Sequence, residues 1–307
     1  MSETQFDLDD ISRIALTGIN RAYVFLGLGI NLVNDDMQHP FHLSGGHHMM
    51  LVPEEVSDET YADFKTGFGQ WIVGNGLREL IENFEVYLDN MYCVLMKVES
   101  WAIAQQNNGC DGKAQTAKFK SFKHLGVTSK FQRLKAEFSI ESEFEEELDS
   151  IKRARNCITH RLGIVGVEDL KQNQAKQIIE QQLIVKWRAA ELYGHHPDGS
   201  EYISPDYNMP IAFPLGSSIK MRFPQKQRAF NVGEILLLSP AELHEICFCF
   251  RMVVGQMHKS IIKALELLGV VIDIKEPITT VEVPEAVIRR AAKINSEAKI
   301  ISIKLDF

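Results

Sequence analysis

The feature that most constrains this chain is a single amphipathic pattern running from about Thr60 to Ala104. Phe68, Trp71, Ile72, Leu80, Ile81, Phe84, Leu88, Met91, Leu95 and Val98 recur at steps of three and four residues. That period places them on one stripe of an α-helix, and a stripe this long must be buried against other helices. The pattern therefore predicts either the central member of a helical bundle or two helices broken near Gly74-Asn75-Gly76.

Other segments fit around that stripe. Residues 10–34 read as helical. A His- and Gly-rich loop follows, "DDMQHPFHLSGGHHMMLVPEE". Residues 113–135 hold seven Lys/Arg and no acid, whereas 141–149 hold six acids. A helix is expected from about Ser142, with Phe144, Leu148, Ile151 and Ile158 on its apolar side and Gly163 as its stop. Acids at its start and "KRAR" near its end complement the helix dipole. The texture then changes: "QQLIVKWRAAELYG", "SSIKMRFPQ" and "GEILLLSP" suggest a β-rich stretch over 180–240, the first of them open to a helical reading. Helical spacing returns from Ala241 to Leu268, and the tail alternates in "PITTVEVP" and "KIISIKLDF". The expected fold is mainly α with a smaller β part, one domain over 1–307. Its helical core covers about 10–165 and 241–270, its β-rich insertion about 180–240, and its tail 271–307.

Composition sets outer limits. A net charge of −8 argues against a general electrostatic coat for nucleic acid, though not against a local basic surface. The five cysteines show no CxxC spacing and read as reduced thiols of a cytoplasmic protein. The acidic N-terminus lacks a positive n-region, and the apolar run "YVFLGLGINLV" is about half a bilayer span, so no membrane association is expected. P-loop, GxGxxG, HExxH and GxSxG motifs are absent, which removes support for the corresponding enzyme classes.

The chemistry concentrates in "IKRARNCITHRLGIVG", residues 151–166. Asn156 and His160 are four apart and share a helix face, and Arg155 lies one residue round with a long side chain. Arginine presents a planar cationic fork that matches phosphate oxygens, and histidine exchanges protons near neutrality. Spacing alone is weak, since Arg153/His160, Arg188/His195 and Arg251/His258 satisfy it too. Arg188 falls in an expected strand with His195 in a turn, whereas Arg251 and His258 share one face of the last helix. The bland alternative is a helix-end Arg paired with acids and a His capping carbonyls. Cys157 reads as a small buried residue. Glu79 and Glu82 could reach the same region from the long helix, although pairing with Arg78 is the commoner fate of such acids.

"RNCITHRLG", at the end of an acidic amphipathic helix, resembles the signature of HEPN-domain proteins: Arg, four to six residues, then His, with a polar residue after the Arg. The resemblance implies a helical bundle and a metal-independent endoribonuclease without cofactor. Two copies would build one composite cleft in a toxin, anti-phage effector or RNA-processing enzyme. It implies that Arg155 holds the scissile phosphate, His160 serves in proton transfer and Asn156 positions it. RNA, a second copy, and an antitoxin or defence-system protein are the implied partners. HEPN toxins paired with a nucleotidyltransferase antitoxin usually carry Tyr two residues beyond the His. Leu162 stands there, which argues against regulation by Tyr modification. Silent family members that bind RNA or protein supply the alternative reading.

Two further clusters have chemistry of their own. Lys118, Lys120 and Lys123 interleave with Phe119, Phe122 and Phe131, a pattern suited to single-stranded RNA or equally to a solvated helix whose phenylalanines are core. His39, His42, His47 and His48 could gather a divalent metal, but no Cys or carboxylate completes a familiar spacing, so no metal site is expected.

Overall fold

Two long helices open the chain and set the axis of the bundle. In the computed structural model, which describes residues 8–36, 56–107, 112–173, 178–179, 181–195, 199–203 and 218–270, α1 spans Leu8–Asn34 and α2 spans Asp58–Asn107. They run antiparallel: Gly18 lies against Asn83, Gly29 against Ile72 and Gly69 against Val33. At 50 residues, α2 is unbroken and about 75 Å long at 1.5 Å per residue. The break open at Gly74-Asn75-Gly76 does not occur. A Cβ on Gly76 would meet Leu243 at 2.7 Å and one on Gly74 would meet Ile158 at 3.2 Å, so these glycines admit neighbouring helices instead of ending their own.

The basic stretch folds as two short helices, α3 Gly112–Lys123 and α4 Val127–Phe138, and the acidic one as α5 Glu145–Arg161. A 3₁₀ turn at Val167–Asp169 follows. Next come β1 Gln172–Asn173, β2 Ile178–Ile179, β3 Gln182–Arg188, β4 Glu191–His195, β5 Glu201–Ile203, β6 Ser218–Arg222 and β7 Gln225–Asn231. The closing helix α6 spans Pro240–Leu267. Its start follows from "SPAE": the Ser239 hydroxyl accepts from the Glu242 amide at 3.2 Å. The Glu242 carboxylate in turn accepts from the Ser239 amide at 2.6 Å, with Pro240 in the first turn.

All described strand pairs are antiparallel: β1 with β2, β3 with β7, and β4 between β5 and β6. β3 is a strand, not a helix. Its alternation buries Leu183, Val185 and Trp187, which face the bundle. The Lys186 amide donates to Ser150 Oγ of α5 at 2.8 Å, and Trp187 Nε1 donates to Glu245 of α6 at 2.7 Å. "GEILLLSP" forms no strand beyond a single bridge, Ile164 to Ile235. It is the seam that pins the end of α5: the Leu236 amide donates to the Gly163 carbonyl and the Val165 amide to that of Glu234.

One continuous core joins these parts. Phe84 of α2 meets Phe250 of α6 edge-on at 5.3 Å, and Tyr92 stacks on Phe122 of α3 at 3.8 Å. Helix α1 is long and apolar enough to cross a membrane by length and composition, more than its "YVFLGLGINLV" run suggested. Its buried residues Ile11, Ala15, Gly18, Ile19, Ala22 and Leu26 recur at three and four and lie against the protein. The chain is thus mainly helical with a smaller β part, and its strands begin slightly before residue 180. The tail from 271, the His39–His48 loop and Cys110 lie outside the described residues.

Candidate functional site

Helix α5 carries the Arg-Asn-His sequence antiparallel to α2. Its buried side, Leu148, Ile151, Ala154 and Cys157, fixes which way the remaining residues point. Burial pushes the Cys157 thiol up, which disfavours the thiolate a nucleophile needs. The helix stops as expected at Gly163, whose φ is 81°, but Leu162 is left-handed as well, at 52°. The Gly163 amide closes the cap on the Cys157 carbonyl.

Arg155 turns toward α2. Its Nη1 donates to Asn156 Oδ1 at 3.1 Å, and its Nη2 lies 3.6 Å from Glu82 Oε1. Its Nε is buried with no hydrogen-bond partner. Glu82 is half-exposed and also faces Arg78 at 3.8 Å. Both separations exceed hydrogen-bond length, so one carboxylate is shared loosely between two guanidinium groups. His160 is exposed and has no hydrogen-bond partner among the described residues. Five residues at about 100° each put it roughly 140° around the helix from Arg155. Asn156 therefore orients the arginine, not the imidazole. A single copy does not bring Arg155 and His160 into one crevice.

The Arg155–Glu82 contact is the end of a charged seam. Glu82, Glu85 and Asp89 repeat at three and four along α2 and face Arg155 and Lys152 of α5 and Lys130 of α4. Lys130 is 2% exposed and sits 2.7 Å from Asp89 Oδ1. That oxygen makes no well-directed hydrogen bond, so the pair is held by charge. Burial lowers the Lys152 pKa, with Glu85 and Asp149 pulling it back up and Arg155 adding to the fall. The α2 acids thus offset cations that would otherwise repel one another.

Of the other Arg/His pairs, Arg153, Arg188 and His258 have structural partners. Arg153 Nη1 donates to the Asp169 carbonyl. Arg188 binds Glu147 and Glu143 and covers the Phe144 ring. His195 ends strand β4 instead of sitting in a turn. His258 Nδ1 and Ser12 Oγ are 2.8 Å apart, tying α6 to α1. Sequence reasoning missed Arg161, which grips the buried Asp169 through Nε and Nη2 while the Gly166 amide donates to the same carboxylate. The 3₁₀ turn brings these groups together, and no periodic signal marks it.

In the basic helix, Lys118 is engaged by Glu137 at 2.9 Å and Glu99 at 3.6 Å. Lys120 is exposed, and Lys123 lies over Phe119. Phe122 and Phe131 are core residues, so they offer no stacking surface to a base. No group of metal-ligating side chains occurs among the described residues, and the four histidines of the early loop lie outside them.

A comparison with protein-family models finds no match, and comparisons with curated proteins and with solved structures find no significant one.

Proposed function

We propose that this chain is a metal-independent endoribonuclease of HEPN kind that works as a pair of copies. The observation that carries the reading is the state of Arg155. Its charge is permanent, its side chain keeps 16% exposure, and its counter-charge is a half-exposed carboxylate beyond hydrogen-bond length at 3.6 Å. A phosphate oxygen satisfies such a fork better than a shared glutamate does. His160, exposed on the same helix, is free to exchange protons with a substrate. Because the two groups diverge within one copy, the second copy supplies the complementary half of the cleft.

The reaction needs no metal. The ribose 2′-oxygen attacks the adjacent phosphorus, a new 2′-O–P bond forms, and the P–O5′ bond breaks. A base removes the 2′-hydroxyl proton, and an acid delivers one to the leaving 5′-oxygen. Arg155 stabilises charge on the non-bridging oxygens, and His160 takes one of the proton-transfer roles. The reading places the protein in the cytoplasm, acting as a toxin or anti-phage effector held in check by a partner protein.

A second reading has its own support: the Arg155–Asn156–Glu82 contacts equally suit a structural ion pair in a silent RNA- or protein-binding module. Wild type, Arg155→Ala and His160→Ala, assayed on single-stranded RNA with EDTA present, separate the two. Loss of cleavage in both variants, each still folded, is the expected result. Equal activity in all three proteins removes the enzyme reading, and a gel shift without cleavage in wild type assigns the silent module.

A further inference from the structure

We infer that Arg78 of α2 and Arg155 of α5 form a two-armed site for one phosphate of single-stranded RNA, and that Glu82 fills this site as an internal stand-in which the phosphate displaces. The inference rests on the reading of Arg155 as the residue that holds phosphate. It adds to that role a second helix and a built-in competitor.

The first ground is how loosely Glu82 is held. Carboxylates elsewhere in the bundle are bonded to their partners. Glu79, one turn earlier on α2, accepts from Asn83 Nδ2 at 3.0 Å and meets Arg21 at 3.1 Å. Glu137 accepts from Arg133 and from Tyr92, each at 2.8 Å. Glu147 accepts from Arg188 at 3.1 Å and from Gln225 at 3.0 Å. Glu82 has two guanidinium groups at hand and accepts a hydrogen bond from neither. Arg155 Nη2 stands 3.6 Å and Arg78 Nε 3.8 Å from its Oε1. At those separations charge holds the carboxylate and no directed bond does, so displacing it breaks none.

The second ground is spacing. Both nitrogens approach the same oxygen, so they lie no further apart than their two separations laid end to end. A phosphate suits such a gap. Charge-assisted N–H···O bonds are about 2.7–2.9 Å long, and two non-bridging oxygens on one phosphorus can take a bond from each side. A phosphate is not tethered to α2 and can settle at bonding distance from both arms, which Glu82 does not.

The third ground is access. Arg155 is 16% exposed, and its Nη1 is fixed on Asn156 Oδ1 at 3.1 Å, so the inner arm is set in advance. Arg78 is 51% exposed and reaches in from solvent, and Glu82, equally open, stands at the mouth between them. Without RNA, Glu82 offsets two cations that would otherwise repel each other. With RNA, its charge opposes the incoming phosphate until it swings out into water.

The test is binding of a fluorescent single-stranded RNA oligonucleotide, read by anisotropy in EDTA across a salt series. Every protein carries His160→Ala, so that the strand stays intact, and circular dichroism checks that each is folded. Added Glu82→Gln should tighten binding about fivefold or more, the effect of removing one repelling charge at contact distance. Added Arg78→Gln should weaken it, with the slope of log affinity against log salt shallower by about 0.7, one single-strand phosphate contact. With both substitutions, binding should be weaker than with Glu82→Gln alone. Equality of those two would make Arg78 a mere restraint on Glu82 and overturn the two-armed site. Glu79→Gln removes the same charge three residues away and should gain clearly less. An equal gain there would reduce the effect to net charge and overturn the inference, as would no RNA binding with either residue at position 82. Binding that responds as described while the protein with His160 intact cuts nothing keeps the site and removes the nuclease. Cleavage by a protein whose binding ignores both Arg78 and Glu82 does the reverse.

Discussion

Replacing Asp89 with asparagine isolates the most sequestered charge in the bundle. The Lys130 ammonium is 2% exposed. Around it lie Asp89 Oδ1 at 2.7 Å, the Glu85 carbonyl at 3.5 Å and the face of Phe122 at 5.7 Å. Removing the only carboxylate in direct contact among the described residues leaves a buried cation with one long hydrogen bond and a ring. An uncompensated buried charge of this kind costs about 3–5 kcal/mol. Lys130→Met removes the cation instead, and Asp89, 16% exposed, can hydrate, so its cost should stay within about 1 kcal/mol. Combined, the two substitutions should be no worse than Lys130→Met alone, a strongly non-additive cycle. Denaturant unfolding followed by circular dichroism gives the values. In a heating scan, the Asp89→Asn loss corresponds to roughly 6–20 °C, at about 2–4 °C per kcal/mol. A loss below about 1 kcal/mol for Asp89→Asn, or simple additivity in the double variant, would refute the burial and pairing of Lys130.

Further outcomes follow from other positions. Leu162 holds a left-handed conformation at φ 52° while 88% exposed, so Leu162→Gly should stabilise the fold by about 1 kcal/mol in denaturant unfolding. A loss of stability would mean the leucine makes contacts worth more than its backbone strain. Gly18→Ala improves helix propensity yet drives a methyl to 2.4 Å from Asn83 Cβ, so a net loss of about 1–3 kcal/mol is expected and a gain would contradict the α1–α2 packing. Burial alone would raise the Glu137 carboxyl, but hydrogen bonds from Arg133, Lys118 and Tyr92 outweigh it and hold it below its ordinary 4.5. With the folded value depressed, its contribution is fully present above the ordinary carboxylate range and is lost as pH falls through the folded value. Thermal midpoints of wild type and Glu137→Gln should therefore differ at neutral pH and converge in acid, and a gap that widens in acid would be the wrong sign.

Period is what made this fold legible from its sequence. The stripe from Phe68 to Val98 and the apolar side of α5 each announce a helix locally, and each forms where expected. Gly74 and Gly76 misled because a glycine that ends a helix and one that admits a neighbour look alike until the neighbour is placed. "GEILLLSP" misled because an apolar run lying beside a helix end, with Leu236 and Leu238 buried and Ile235 and Leu237 exposed, has the composition and alternation of a strand. Phe122 and Phe131 sit among lysines in sequence, yet their helices turn them inward, with Lys120 and Lys123 outward and Lys130 buried beside them. In the motif, Glu82 read more readily as a partner of Arg78, and only the structure shows that Asn156 and Glu82 draw the Arg155 guanidinium away from His160. Arg161 and Asp169 were illegible because a non-periodic turn joins them.

The chemistry of the RNA ends tests the central claim most directly. Single-stranded RNA incubated with the wild-type protein in EDTA should yield fragments bearing 2′,3′-cyclic phosphate and 5′-hydroxyl termini. Arg155→Ala and His160→Ala should yield none. Fragments with 3′-hydroxyl and 5′-phosphate termini, or the same cyclic ends from either alanine variant, would contradict it.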